Sequence, residues 1–150
     1  MNATQTILLV DDSENDLILL RTAFSKAEYA MPLQEVHNGE EAISYLKGDG
    51  PYADRNRFPM PSMVLLDLNM PMKSGFDVLC WVRGHAELKR PPVIILTASM
   101  RAEDVERAYD LGANAFLVKP SRLEDLVAMI RCLRDWTRIN RFPPLGRVVQ

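Results

Sequence analysis

Acidic residues follow two apolar runs of the sequence, at points where the pattern predicts that strands end. Asp11 and Asp12 come directly after the run 6–10, and Asp67 follows the run 63–66. Short apolar runs that end in a turn are typical of buried parallel strands. Because ligands of an open parallel sheet bind beyond the carboxyl ends of its strands, these carboxylates are predicted to lie at a functional edge.

Carboxylates brought to one edge repel one another, by roughly 4 kcal/mol for a pair 4 Å apart at an effective dielectric constant of about 20. Such a cluster must take up protons or hold a cation, and oxygen ligands without histidine or cysteine favour Mg²⁺. Two later apolar runs are followed by the hydroxyl of Thr97 and the ammonium of Lys119. These groups suit the remaining oxygens of a phosphoryl group. The strand ends therefore predict magnesium-assisted phosphoryl transfer.

The sequence has no loop of the kind that binds a nucleotide phosphate. None of its seven glycines belongs to a G-x-G-x-x-G or G-x-x-x-x-G-K pattern. We therefore expect no bound nucleotide. The phosphoryl group is expected to come from another molecule onto a carboxylate that acts as nucleophile.

Apolar runs alternate with helical patterns along the chain. The predicted strands cover 6–10, 33–37, 63–67, 93–97 and 115–118. The predicted helices cover 14–27, 39–47, 75–83, 102–111 and about 121–139. This alternation predicts an α/β fold in which helices cover both faces of a doubly wound, five-stranded parallel sheet.

Several predicted helices begin with an oxygen-bearing side chain three residues before an acid, a pattern typical of helix N-termini. The pairs are Ser13–Asp16, Asn38–Glu41, Ser74–Asp77 and Ser121–Glu124. The first member of each pair is predicted to cap its helix.

Composition is that of an ordinary globular protein, with 47% hydrophobic residues, 25% charged residues and a formal net charge of −2 over 150 residues. We expect one domain that binds neither nucleic acid nor a membrane surface. The chain shows no signal-peptide pattern and no apolar run near the ~20 residues that cross a bilayer, so a cytoplasmic location is expected. Cys80 and Cys132 share no metal or redox spacing and are expected to be buried or half-buried thiols.

Taken together, these positions resemble the receiver domain of two-component response regulators. The motifs that carry the resemblance are "DD" at 11–12, "LLDLNMP" at 65–71, "SG" at 74–75, "TAS" at 97–99 and "KP" at 119–120. The resemblance implies the flavodoxin-like (βα)5 receiver fold, with strand order 2-1-3-4-5.

The resemblance extends from about Thr6 to Ile139. It implies a single receiver domain over 1–150, with a core at about 6–139, a C-terminal extension at 140–150 and no output domain. Output is then expected through protein contacts or through onward transfer of the phosphoryl group.

The resemblance also assigns the metal and phosphoryl positions. Asp67 matches the phosphorylated aspartate. Asp11 and Asp12 match the acidic pair that binds Mg²⁺ together with Asp67. Asn69 matches the position whose backbone carbonyl completes the metal site.

The expected switch involves the last two strands. Thr97 matches the hydroxyl that turns toward the phosphoryl group, and Lys119 matches the ammonium that pairs with it. Phe116 matches the aromatic switch position, where phenylalanine lacks the hydroxyl contact that tyrosine offers. The Lys119–Pro120 bond is expected to be cis, as it is in the family.

The resemblance implies a phosphoacceptor rather than an enzyme, with magnesium-dependent self-phosphorylation and autodephosphorylation as its only chemistry. The implied donor is a sensor histidine kinase. The face built from the fourth helix, the fifth strand and the fifth helix would then bind partners or dimerise. The alternative is a degenerate receiver that acts as an interaction module without phosphorylation, although every site position is filled.

Two other classes fit less well. A phosphatase of the haloacid dehalogenase type would carry its motif on the first strand, with an acid where this chain has Asn69. A flavin-binding module of the same topology would have a Ser/Thr-rich phosphate loop after the first strand. The sequence has "DDSEND" at 11–16 instead, and these acids would repel a flavin phosphate.

Two segments point to partners. The long loop 48–62 and the C-terminal extension are similar to those of receivers that serve bacterial phytochrome-type histidine kinases. The alternative for the loop is a surface insertion between the second helix and the third strand. The fifth helix carries a second apolar stripe at Met129, Cys132, Trp136 and Ile139, which either the tail covers or a homodimer buries.

Overall fold

Five strands alternate with five helices in residues 5–144, the part of the chain that the computed structural model describes. The strands are β1 Ile7–Val10, β2 Leu33–Val36, β3 Met63–Leu66, β4 Val93–Thr97 and β5 Ala115–Val118. The helices are α1 Glu14–Lys26, α2 Gly39–Lys47, α3 Gly75–Arg83, α4 Ala102–Asp110 and α5 Leu123–Ile139. The predicted elements are thus confirmed, with ends that differ by at most two residues.

The strands form one parallel sheet in the order β2-β1-β3-β4-β5, which confirms the predicted order. Val10 is in register with Val36 on one side and with Leu66 on the other. Thr97 at the end of β4 is in register with Val118 of β5. The chain reverses its winding direction between β1 and β3, so their carboxyl ends flank the crevice in which such sheets bind ligands.

Each face of the sheet has its own apolar core. Leu8 and Val10 of β1 pack with α2, α3 and α4, whereas Ile7 and Leu9 pack with α1 and α5. Both faces of the central strands are therefore buried. This explains why the strands are continuous apolar runs with no polar alternation.

Helix starts follow the predicted caps in three of the four cases. The side chains of Ser13, Asn38 and Ser74 each accept a backbone N–H at the start of α1, α2 and α3. The prediction for Ser121 is wrong, because α5 begins one residue later. Arg122 occupies the cap position without a side-chain cap bond, and its guanidinium pairs with Glu124.

The long loop between α2 and β3 is packed against the domain. The rings of Tyr45, Tyr52 and Phe58 form a cluster with centroids 5.1 to 6.0 Å apart. Arg55 donates to the backbone carbonyls of Tyr45 and Leu46 at 2.8 Å and to that of Phe58 at 3.1 Å. Much of this loop thus has a structural role, since Arg55 gives additional donors to carbonyls at the end of α2.

Two expectations about single residues are wrong. The Lys119–Pro120 bond is trans, as are all peptide bonds of residues 5–144. Trans is the isomer that an X-Pro bond prefers in the absence of other constraints. Cys80 and Cys132 are both exposed, because α3 and α5 turn the neighbouring residues Leu79 and Leu133 toward the core.

The second stripe of α5 stays largely open within the described residues. Phe142 packs edge-on against Trp136, with centroids 5.5 Å apart, but Trp136 is still 37% exposed and Ile139 is 82% exposed. Arg90 donates to the carbonyl of Pro144 at 2.6 Å. Residues 145–150, the rest of the predicted extension, lie outside the described residues, and the division into core and extension stays a prediction. Within residues 5–144, no helix combines the length and apolar character that a membrane span requires.

Candidate functional site

The sheet ladder places Asp11 and Asp67 side by side. Beyond the last residues of β1 and β3, the backbone N–H of Asp67 donates to the carbonyl of Val10 at 3.0 Å. The N–H of Asp11 donates in the same way to the carbonyl of Val36 at 3.1 Å. Both carboxylates are buried, with 2% exposure for Asp11 and 6% for Asp67.

Asp12 completes a cluster of three carboxylates. One oxygen from each of Asp11, Asp12 and Asp67 lies within 4.8 Å of the others, and Asp12 is exposed. Oxygen donors at this spacing, two of them buried, fit a hard divalent cation with an open side toward water. The predicted ligand Asn69 is exposed, and its backbone N–H lies 3.5 Å from Oδ1 of Asp67.

The ammonium of Lys119 lies among these acids. Its Nζ donates to Asp11 at 2.6 Å, to Asp16 at 2.8 Å and to Asp67 at 3.3 Å. The backbone N–H of Lys119 donates to the carbonyl of Thr97 at 2.7 Å, which fixes the direction in which the side chain leaves β5. An ammonium has three N–H donors, and here each has a carboxylate acceptor.

Burial and neighbouring charges have opposite effects on the pKa of the Lys119 ammonium. Burial alone would lower the pKa of Lys119, but its hydrogen bonds to Asp11 and Asp16 and the negative charges of Asp67 and Asp11 together outweigh burial and raise the pKa. Burial raises the pKa of Asp11, although the hydrogen bond from Lys119 opposes that rise. One fixed positive charge thus faces an excess of negative charge, an arrangement suited to accept a cation.

The predicted switch residues Thr97 and Phe116 lie on β4 and β5 and make no hydrogen bond to the acids within the described residues. Thr97 is fully buried, and its Oγ1 accepts from the N–H of Ser99 at 3.4 Å. The hydroxyl of Ser99 in turn donates to Asp104 of α4 at 2.5 Å. Phe116 is half-buried and packs against the core on the α2–α4 side. The structure therefore brings the carboxylates and Lys119 together, while no hydrogen bond joins Thr97 to Asp67 within residues 5–144.

Glycine is required where α3 meets the loop after β3. A Cβ atom on Gly75 would lie 2.2 Å from the carbonyl oxygen of Asp67 and 2.8 Å from Cα of Leu68. A Cβ atom on Gly39 would lie 2.3 Å from the carbonyl oxygen of Lys73 in the same loop. Both helices, α2 and α3, therefore press directly on the loop after β3.

Asp16 is the site residue that the sequence analysis missed. Its distance from Ser13 matches a capping pair, and its backbone N–H does donate to Ser13 Oγ at 3.2 Å. Its carboxylate, however, binds Lys119, and the N–H of Ser13 donates to Asp11 instead. The only signal in the sequence was an acid one helical turn after the acidic pair, on the face of α1 nearest the strand ends.

Comparison with known proteins gives a family. The family model described as response regulator receiver domain matches residues 7–131. The match includes every strand end that contributes to the acidic cluster and Lys119.

The individual relatives are response regulators as well. Rcp1, a response regulator of Synechocystis sp., is 35% identical over 135 residues, which cover 90% of each chain. The Mn²⁺-bound form of Rcp1 has a TM-score of 0.82 at 34% identity, covering 93% of this chain and 99% of that one. Response regulator RPA3017 in red light signaling of R. palustris has a TM-score of 0.88 at 35% identity, covering 93% of this chain and 98% of its own. The phosphorylated cyanobacterial phytochrome response regulator RcpA has a TM-score of 0.85 at 31% identity with the same coverage.

Proposed function

Because the chain belongs to the response regulator receiver domain family, we propose that Asp67 is its phosphoacceptor in a two-component phosphorelay. The observation that carries this assignment is the position of Asp67: it is 6% exposed, beside Asp11, and 3.3 Å from the ammonium of Lys119. A carboxylate so placed has a cationic partner for the charge that a phosphoryl group brings.

We propose that the site takes Mg²⁺, with Asp11, Asp12, Asp67 and the backbone carbonyl of Asn69 as its ligands. The spacing of the three carboxylates and the Mn²⁺-bound form of Rcp1 support a divalent cation. When bound, the cation neutralises phosphoryl oxygens during transfer. The raised pKa of Asp11 implies that a proton competes with the cation, so binding weakens as the pH falls.

The chain's own groups act in a definite order. An oxygen of Asp67 forms the new P–O bond while the P–N bond of a donor phosphohistidine breaks and the imidazole is released. The donor hydrogen bond of Lys119 then passes from the Asp67 carboxylate to a phosphoryl oxygen. Asp11 accepts a hydrogen bond from Lys119 at 2.6 Å and so holds the ammonium beside Asp67 beforehand.

The switch follows from the added charge of about −1.5 to −2 on Asp67. We propose that Thr97 turns its hydroxyl from the N–H of Ser99 toward the phosphoryl group and that Phe116 moves into the space it leaves. The 3.4 Å contact that Thr97 gives up is long for a hydrogen bond and therefore weak. The face formed by α4, β5 and α5 would then change shape and alter its contacts.

The direct test is chemical phosphorylation. With Mg²⁺ and acetyl phosphate, wild-type protein should gain one hydroxylamine-labile phosphoryl group, measured by intact mass. Asp67→Asn should gain none, whereas Asp110→Asn, an exposed acid on α4, should behave as wild type. Labelling of Asp67→Asn, or none in the wild type despite Mg²⁺ binding, would contradict the assignment.

For the donor, we propose a cytoplasmic sensor histidine kinase of the bacterial phytochrome type. The support is the similarity to RcpA, a phytochrome response regulator, and to RPA3017, from red light signaling. Timed phosphotransfer from each purified kinase of the same genome should show one preferred donor, a phytochrome-type kinase. Preference for a kinase of another class would remove this assignment and leave Asp67 untouched.

For the open stripe of α5, we propose a homodimer. Trp136, Ile139 and Phe142 expose apolar surface at the end of that helix, with exposed fractions of 37%, 82% and 42%. Sedimentation with and without beryllofluoride should show dimers in one or both states. Ile139→Asp should shift the protein to monomer, whereas Glu40→Lys on the exposed surface of α2 should not. Monomers throughout would refute the dimer.

A further inference from the structure

The carboxylate of Asp16 lies in the phosphoryl site although no step described above needs it. Its Oδ2 accepts from the ammonium of Lys119 at 2.8 Å, a shorter contact than the 3.3 Å between that ammonium and Asp67. The side chain of Asp16 is 37% exposed, against 8% for that of Asp67. Lys119 is therefore closer to an acid at the rim of the site than to the acid that receives the phosphoryl group.

The donors of Lys119 are fully used. Each of its three N–H groups has a carboxylate acceptor, from Asp11, Asp16 and Asp67 respectively. A phosphoryl group on Asp67 presents several oxygens and more negative charge than the carboxylate it replaces. To bind Lys119 well, it must draw the ammonium away from an acceptor that is already charged.

Asp16 is the acceptor in competition. Asp11 belongs to the proposed cation site, where its charge is neutralised when that site is filled, and Asp67 carries the phosphoryl group itself. Asp16 belongs to no cation site and carries no phosphoryl group, so its charge is not compensated in either way. Among residues 5–144, its carboxylate has no ion-pair partner other than Lys119.

We propose that Asp16 is a positioning residue that competes with the phosphoryl group for Lys119 and so weakens the phosphorylated state. The proposal rests on Asp67 as phosphoacceptor. It assigns to the first turn of α1 a regulatory effect on the site: the more strongly Asp16 holds the ammonium, the less of its charge is available to the phosphoryl oxygens. Removal of this carboxylate should strengthen binding of a phosphoryl group without any new contact.

The test is the affinity for beryllofluoride, which mimics the phosphoryl group, measured by ¹⁹F NMR at saturating Mg²⁺. Asp16→Asn keeps the shape and an oxygen acceptor but removes the charge, and it should bind about three- to fivefold more tightly, as expected for an ion pair of partly exposed groups. Asp16→Ala should change the affinity in the same direction. An unchanged or weaker affinity in either variant would overturn the proposal.

Glu14→Gln is the matched control. Glu14 lies in the same first turn of α1 and carries the same charge, but its contacts are with Arg21 and His37 rather than with Lys119. An equal gain in Glu14→Gln would mean a general charge effect and would overturn the specific role of Asp16. In a Lys119→Met background the gain from Asp16→Asn should vanish, and its persistence would also overturn the proposal.

The outcomes also separate this proposal from the proposed function. If wild-type protein binds no beryllofluoride with Mg²⁺ present, Asp67 is not the phosphoacceptor and both proposals fail. If wild-type protein binds it and Asp16→Asn binds it no better, only the role of Asp16 fails. Thermal unfolding by circular dichroism of each variant establishes that the compared proteins are folded.

Discussion

Lys119 and Arg55 are half-buried cations with different partners. Lys119 lies at the carboxyl ends of the strands and donates to three carboxylates. Arg55 lies in the loop that leads into the amino end of β3, and it donates to three backbone carbonyls. Lys119 thus joins positions 52 to 108 residues apart through charged acceptors, whereas Arg55 joins positions 3 to 10 residues apart through neutral acceptors.

The difference appears in the pKa values. Burial lowers the pKa of Arg55, and its neutral partners do not reverse that effect. For Lys119 burial acts in the same direction, but the carboxylates reverse it and raise the pKa. Neutral acceptors give a contact that changes little with conditions. Charged acceptors give one that a cation, a proton or a phosphoryl group can redistribute, which is what a signalling site requires.

The largest expected effect tests the neutral site. Arg55→Met leaves the carbonyls of Tyr45, Leu46 and Phe58 without this donor, and we expect the free energy of unfolding to fall by about 3 kcal/mol. Urea unfolding should show the same loss with and without Mg²⁺. Arg57→Met, in an exposed position of the same loop, should cost much less. A loss that Mg²⁺ restores would mean that the two cation sites are not independent.

Removal of the other cation should respond to solution conditions. Lys119→Met should lower the free energy of unfolding by about 2 kcal/mol near neutral pH, below the range of about 3–5 kcal/mol for a fully buried pair, because the carboxyl groups can take up a proton. Adding Mg²⁺ should restore most of this loss, as measured by urea unfolding with chelator and with Mg²⁺. If Mg²⁺ leaves the loss in free energy of unfolding unchanged, Lys119 is not coupled to the cation site.

The same variant gives a pH test. Burial already raises the pKa of Asp11, and loss of the ammonium should raise it further. A carboxyl whose pKa is raised in the folded state contributes stability at low pH that is lost as the pH rises through the folded pKa. The deficit of Lys119→Met should therefore shrink between about pH 7 and about pH 5. That of Arg55→Met should stay nearly constant, and equal slopes would contradict the comparison.

A smaller effect is expected at the hydroxyl beside Arg55. Tyr45 donates to the carbonyl of Pro59 at 2.8 Å, and burial raises its pKa to about 12. Tyr45→Phe should cost about 1 kcal/mol near neutral pH. Unfolded tyrosine ionises near pH 10, so the wild type should lose stability as the pH rises above that value. Tyr45→Phe should lose less in urea unfolding between about pH 9 and about pH 11, and an equal loss would place the titration elsewhere.

The smallest expected effect separates capping from site chemistry. Asp77→Asn breaks a complete capping box with Ser74 and should cost about 0.5–1 kcal/mol in urea unfolding. Asp16→Asn removes no capping acceptor and should cost less, since Ser13 remains the cap of α1. Equal losses in the two variants would assign Asp16 a structural role at its helix start.

These two helix starts also show how far the sequence could predict the molecule. Ser13–Asp16 and Ser74–Asp77 have the same spacing, and both serines do cap their helices. Only Asp77 completes a capping box, because the carboxylate of Asp16 has Lys119 within reach. A local pattern predicts the backbone start well, but not the acceptor choice of a side chain that borders another strand end.

The fold was predictable because its signals are periodic and repeated. Five short strand runs alternate with helical patterns, and parallel strands bring their carboxyl ends to one edge, so Asp11, Asp67 and Lys119 were expected together. The exposure of Cys80 and Cys132 was not predictable from spacing alone. It depends on the rotation of α3 and α5 about their axes, which the packing of neighbouring residues sets.

The close contacts of Gly39 and Gly75 with the loop after β3 restrict movement of that loop toward α2 and α3. There is no room even for a methyl group at Gly75 or Gly39, so α2 and α3 pack tightly against the loop that follows Asp67. The β4–α4 connection on the other side is held by hydrogen bonds of one hydroxyl: Ser99 donates to Asp104 and accepts from the N–H of Arg101. We therefore expect a displacement that starts at Asp67 to be directed away from α2 and α3 and toward α4. We therefore expect a dye attached to α4 to report phosphorylation of Asp67, and one attached to α3 to show no change in signal.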